Sequence, residues 1–157
     1  MGEMDQPTKA EAEAETPTTV EITLNGKTIH RPDVPAHFMR LKPVDGHVRI
    51  QHGDTVLVET SRAIRLTEVG RDVYDPVIYV PKDDVAVDLN AVTDKSSKCP
   101  LKGQASYFAF AGVSPIAWQY AHPFGFAAEL ADLIAFYPNQ VTTIEIGADA
   151  SQPETSG

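Results

Sequence analysis

Cys99 is the sole cysteine in a chain of 157 residues. No disulfide can close within the chain, and no zinc site built on cysteine pairs can form. The five histidines (His30, His37, His47, His52 and His122) show no His-x-x-x-His spacing and no acid-bridged pair, so a metal is not expected. His47 and His52 flank an expected turn and could face each other across it, but exposed turn histidines are commoner than ligands. No apolar run approaches the roughly 20 residues that cross a bilayer. The start, "MGEMDQPTKAEAEAE", lacks the basic and apolar regions of a secretory signal, and Gln6 stands where a myristoylation signal takes Ser or Thr. A soluble, cytoplasmic protein is expected. Basic excess is missing too: 13 Lys and Arg face 22 Asp and Glu, for a formal net charge of -9. Neither nucleic acid nor a membrane is an expected partner.

Much of that acidity sits at the ends. Glu3, Asp5, Glu11, Glu13 and Glu15 outweigh Lys9, and Asp149 and Glu154 follow at the other end, leaving a nearly neutral middle. Residues 1–18 and 147–157 are polar, charged and interrupted by proline, and they read as disordered tails that bury too little to offset the entropy of ordering. Between them, 19–146 reads as one domain, and a hydrophobic content of 42% lets it fold without a staple.

Within the domain, strand signals dominate. "TVEITLNGKTI" alternates and turns at Asn25-Gly26, the pair that best tolerates positive φ in a two-residue hairpin. "RPDVPAHFMRLKP" holds three prolines and is expected to be irregular. "HVRIQHGDTVLVET" reads as a hairpin turning at Gly53-Asp54, and "RAIRLTEV", "DPVIYVP", the alternating Val85, Val87 and Leu89, "QASYFAFAG", "IAWQYAHP" and "QVTTIEI" as further strands. "PFGFAAELADLIAFY" carries helical periodicity and is the one expected helix. The fold class expected is mainly β (α+β), two antiparallel sheets of short strands with one helix in the C-terminal half. Helix–strand alternation of the parallel kind is missing, which argues against a dinucleotide-binding sheet.

Candidate chemistry follows from polar groups on these strands. Lys98 and Lys102 flank Cys99 and would favour a thiolate, while a half-buried packing thiol is the competing reading. "CPLKGQAS" has one glycine and leads into a strand, so it is no phosphate cradle, although Lys102 alone could contact an anion. Arg62 and Glu68 lie six residues apart, which even spacing puts on one face of a strand. From spacing alone, outward-facing side chains on a half-exposed sheet are the favoured reading. Ser106 and Tyr107 lie on opposite faces of the next aromatic run; Trp118 and Tyr120 share one. Burying Tyr79, Tyr107, Trp118 and Tyr120 requires partners for their polar tips, so these rings either plug an open end of the core or line a pocket.

Taken in order, "VETSRAIRLTEV", "PVIYVPKDDV", "KCPLKGQASYF", "AWQYAHP" and "LIAFYPNQV" resemble the domain of unknown function 427 family of bacteria and fungi, sometimes labelled nucleotidyltransferase-like. The resemblance spans 48–141 and leaves 19–41, with the Asn25-Gly26 hairpin, as an addition. It implies a fold similar to the β-tent, two antiparallel sheets pinned at one edge, as in type B methionine sulfoxide reductase and the thalidomide-binding domain of cereblon. Zinc in those proteins often sits on two cysteine pairs, which this chain lacks. The family's polar pattern falls on Arg62, Glu68, Tyr79, Asp84, Cys99, Lys102, Ser106, Tyr107, Trp118, Tyr120 and Tyr137. Leu101 replaces a usual aromatic, and Gln119 a common Ser.

Together these readings describe an inter-sheet pocket for a small planar or anionic ligand, walled by Tyr107, Trp118 and Tyr120 and charged by Arg62, Glu68 and Lys102. Glu68 would be the general acid or base, assisted by Lys102. A non-catalytic sensing or protein-interaction module is the alternative. No cofactor is expected, and the protein would be a monomer or weak homodimer.

Overall fold

The computed structural model describes residues 27–147. Its strands are β1 (Thr28–His30), β2 (Phe38–Pro43), β3 (His47–His52), β4 (Thr55–Thr60), β5 (Ile64–Val69), β6 (Val77–Pro81), β7 (Asn90–Cys99), β8 (Gly103–Phe110), β9 (Val113–Pro123), β10 (Leu133–Phe136) and β11 (Thr142–Ile146). They form two antiparallel sheets. The larger has the order β1-β2-β5-β6-β10-β9-β8-β7, and the smaller β11-β3-β4. The mainly β class with two antiparallel sheets is as the alternation implied.

Alternation of side chains gives the larger sheet two apolar faces. On one face Val80, Ile116, Ala117, Ile134 and Phe136 pack with Val48, Ile50, Leu57 and Val58 of the smaller sheet. On the other, Met39, Leu66, Tyr79 and Ala135 pack with Leu101, Ala127 and Leu130 from the connections. The β3–β4 hairpin turns at Gly53-Asp54 as expected, and a register shift after Ile50 lets consecutive Leu57 and Val58 both be buried.

The expected helix is absent. Gly125–Leu130 is a short 3-10 segment with non-helical Ala127 inside it, and Leu133–Phe136 is a strand between β6 and β9. A central strand covered on both faces reads as a continuous apolar run, which periodicity alone does not separate from a buried helix. Phe38–Pro43, expected to be irregular, is β2; its pairing with β1 and β5 fixes it as a strand. Val85 makes only an isolated bridge to Val58, and Val85, Val87 and Leu89 pack as partly buried loop residues. Strand β7 had no sequence signal. As an edge strand, largely exposed, it tolerates "NAVTDKSSKC". The Asn25-Gly26 turn, residues 1–18 and residues 148–157 lie outside the described residues. No helix among those described is long and apolar enough to cross a membrane.

The β8–β9 hairpin turns through Ala111 and Gly112, both at positive φ (53° and 81°). Two positive φ values match the twist of a two-residue hairpin, but alanine's Cβ makes the first of them costly. Ala111→Asn is therefore expected to raise stability by about 0.5–1 kcal/mol, read as a higher urea midpoint at unchanged slope; a lower midpoint contradicts this account of the turn.

Candidate functional site

Strand register places the aromatic residues. Ile64 of β5 pairs with Tyr79 of β6, Tyr79 with Ala135 of β10, Ala135 with Trp118 of β9, Trp118 with Tyr107 of β8, and Tyr107 with Val92 of β7. This row crosses six strands on one face of the larger sheet. Ala135 is its smallest member and fully buried, so the rings of Tyr79 and Trp118 lean over it and meet. The Trp118 Nε1–H donates to the Tyr79 hydroxyl at 3.1 Å, and the rings stand edge to face with centroids 6.2 Å apart. Tyr137, just past β10, lies 4.7 Å from Trp118. At the other side Tyr107 shares a 2.6 Å hydrogen bond with the Ser97 hydroxyl.

The turn between β7 and β8 sets the charged floor. Cys99 pairs with Gly103, and between them Leu101 and Lys102 point inward, 0% and 7% exposed. Gly103 is required there. Its φ is 120°, and a Cβ would lie 3.0 Å from Pro123 Cα. The Phe124 N–H donates to the Lys102 carbonyl at 3.2 Å, anchoring the turn to the end of β9. Lys102 Nζ then reaches Glu68 Oε1 on β5, while His37 Nε2 meets Glu68 Oε2 at 2.7 Å. Both carboxylate oxygens are engaged, and all three side chains are mostly buried. Burial works to raise the Glu68 carboxyl, but the hydrogen bonds and charges of His37 and Lys102 outweigh it and hold it below the usual 4.5. Burial pushes the Tyr79 and Tyr120 hydroxyls up, so both stay neutral. Tyr120 also presents its ring 5.8 Å from the Lys102 ammonium.

Around these groups lies a recess of about 230 Å³, lined by Glu68, Tyr79, Lys102, Tyr107, Trp118, Tyr120 and Tyr137 together with Leu66, Val77, Tyr74 and Asp75. It is not between the sheets, as the sequence had implied. No residue of β3, β4 or β11 lines it; it sits on the larger sheet's opposite face. Arg62, Asp84, Cys99 and Ser106 lie elsewhere. Arg62 precedes β5, is largely exposed, and donates to Asp84 Oδ1 at 3.0 Å. Asp84 also accepts from the Thr60 hydroxyl at 2.6 Å, and Thr60 then Arg62 hold its carboxyl below the usual 3.8. This cluster clasps the end of β4 to the segment after β6. Cys99 packs half-buried against the Leu101 and Tyr79 cluster, and Ser106 faces solvent. His47 contacts Glu59, and His52 the Gln140 carbonyl; among the described residues no three potential metal ligands converge.

Sequence reasoning missed His37, Tyr74 and Asp75. His37 lies 31 residues from Glu68, in a segment expected to be irregular, and no spacing marks it. Tyr74 and Asp75 sit on the β5–β6 connection, pinned by the Tyr74 N–H donating to the Glu68 carbonyl at 3.1 Å.

A family model described as a domain of unknown function (DUF427) matches residues 40–147, more than half of the chain. No curated protein matches it significantly.

Two outcomes test this geometry. Ala135→Leu is expected to cost about 1–3 kcal/mol by overpacking the row, and to shift Trp118 fluorescence because the indole is pushed from Tyr79; an unchanged spectrum contradicts it. Glu68→Ala leaves the Lys102 ammonium unpaired and should cost about 3 kcal/mol, most of it recovered in Glu68→Ala/Lys102→Met. Because Glu68 titrates lower when folded, its stabilisation is complete above pH 4.5 and is lost as pH falls through the depressed value. Acid unfolding of Glu68→Gln should lack that component.

Proposed function

The chain belongs to the domain of unknown function 427 family, whose description assigns no activity, and from the geometry we propose that the aromatic recess binds a small, flat, polar molecule, neutral or cationic. One observation carries this reading: five tyrosines and the single tryptophan converge on a space of about 230 Å³ above a carboxylate. That volume lies below the usual range of ligand pockets, which favours a compact ring over a nucleotide-sized molecule. Aromatic faces attract planar and cationic groups. An anionic ligand is disfavoured, because Lys102 is neutralised by Glu68, Asp75 adds a second carboxylate at the rim, and Arg62 lies outside.

Binding without turnover fits the charged groups better than proton transfer. A general base works best with its pKa near the working pH and a free oxygen to receive the proton. Glu68 has neither. A second reading draws on the His37–Glu68 contact, because a carboxylate that orients an imidazole is a common arrangement in acid–base sites. Under either reading the protein is cytoplasmic and monomeric or weakly dimeric, with no nucleic-acid or membrane partner. The lone cysteine fits a reducing cytoplasm, and the net charge of -9 disfavours a phosphate backbone.

A thermal-shift screen of flat nitrogen heterocycles, aromatic amines and aromatic acids tests the proposal. Neutral and cationic rings should raise the melting temperature in proportion to the logarithm of their concentration once saturating and quench Trp118 fluorescence. Tyr120→Ala and Tyr137→Ala should each weaken the hit about tenfold, consistent with loss of one ring contact and its buried area. A hit recovered unchanged after long incubation supports binding, and a product that disappears with Glu68→Gln supports the acid–base reading. Hits confined to aromatic acids, or indifferent to both tyrosine variants, contradict the proposal.

A further inference from the structure

A second recess, of about 510 Å³, adjoins the first. Glu68 lines the first and its partner His37 the second, while Tyr74 lines both. Two short loops shape it, each closed by its own backbone. The Arg31 N–H donates to the His37 carbonyl at 3.0 Å and the His37 N–H to the Val34 carbonyl at 2.9 Å, which holds Arg31 and His37 together. The Tyr74 bond to Glu68 closes the other loop, which contributes Arg71 to the lining.

Its electrostatics are the reverse of the first recess. Arg31 and Arg71 both line it, and no acidic side chain does. Arg31 gives its Nε and Nη2 donors to Asp33, at 3.2 and 2.8 Å, but that carboxylate is largely exposed and is not part of the lining. A guanidinium has five N–H donors, so three of Arg31's remain. Arg71 makes no ion pair among the described residues. His37 uses Nε2 on Glu68, which leaves Nδ1 as its other polar atom. Two guanidiniums lining one concavity suit an oxyanion chemically, because a guanidinium holds such a group through paired N–H donors.

We propose that this second recess is an oxyanion site, built by Arg31 and Arg71 with His37 beside them, which takes the carboxylate or phosphate group of a small molecule. It is a site separate from the aromatic recess and does not depend on that recess being occupied.

The full-length chain, labelled with nitrogen-15, is titrated with inorganic phosphate and in parallel with acetate, ionic strength being held constant with chloride. Saturable shifts are expected at the backbone amides of His37, Gly70 and Arg71. Arg71→Ala and Arg71→Gln should each weaken binding about tenfold, the change expected for one charge-assisted pair. Asp33→Asn, which frees Arg31, should tighten it. Lys82→Ala, a cation lying over Phe108 and not part of this lining, should leave it unchanged. Saturation by either anion with this mutant pattern supports the site, and the tighter anion identifies the group as phosphate-like or carboxylate-like. Shifts linear in anion concentration, or binding equal in wild type and Arg71→Ala, overturn it. Because the readout uses no aromatic ligand, failure here leaves the reading of the first recess standing, and failure of that reading leaves this one.

Discussion

The contact between Trp118 and Tyr79 across Ala135 organises this molecule. Three strands distant in sequence meet there in register, and only a residue as small as alanine on the middle strand lets the two rings touch. A buried indole N–H is costly without an acceptor, and the Tyr79 hydroxyl oxygen supplies one, so the contact makes burial of the Trp118 edge tolerable. The neighbours follow from the same register. Tyr107 stands beside Trp118 on β8, Tyr137 closes over it from the end of β10, and Tyr120 lies two residues along β9 on the same face. With its opposite face packed on the smaller sheet by apolar residues, the larger sheet is free to present this face as a polar-tipped aromatic surface.

The ionic group depends on that scaffold. His37, Glu68 and Lys102 come from three separate segments, and each reaches the centre through a backbone device: the closed loop before β2, the end of β5, and the inward turn at Gly103. A mostly buried ion pair is a weak source of net stability, because desolvation offsets much of the attraction. Its persistence here is better understood as fixing one charge in one place, at the junction of two recesses of opposite character. The Thr60–Arg62–Asp84 cluster is a contrasting case, with Thr60 buried and Arg62 exposed, tying the end of β4 to the segment after β6 and lining neither recess.

Much of this was legible in the sequence, and what was not has identifiable causes. Strand parity put Trp118 with Tyr120 on one face and Tyr107 opposite Ser106, and "CPLKGQAS" was read as leading into a strand, as it does at Gly103. Parity gives no strand order, however. That β10 lies between β6 and β9 made Ala135 the pivot, and "LIAFY" carried a helical period that strand pairing overrode. Arg62 and Glu68 share parity by count, but the strand begins only at Ile64, and the Arg62 N–H bond to the Thr60 hydroxyl turns that end of the chain toward Asp84. His37 depends on long-range closure, which leaves no trace in local spacing.

Trp118 is the chain's only tryptophan, so its indole N–H gives a single resonance that reports the central contact directly. Hydrogen exchange of that proton, compared between the native protein and Tyr79→Phe, is the decisive measurement. The account predicts slow exchange in the native protein, with the resonance moving upfield and exchange accelerating when the Tyr79 hydroxyl is removed. Rapid exchange in the native protein, or a resonance indifferent to Tyr79→Phe, would contradict it.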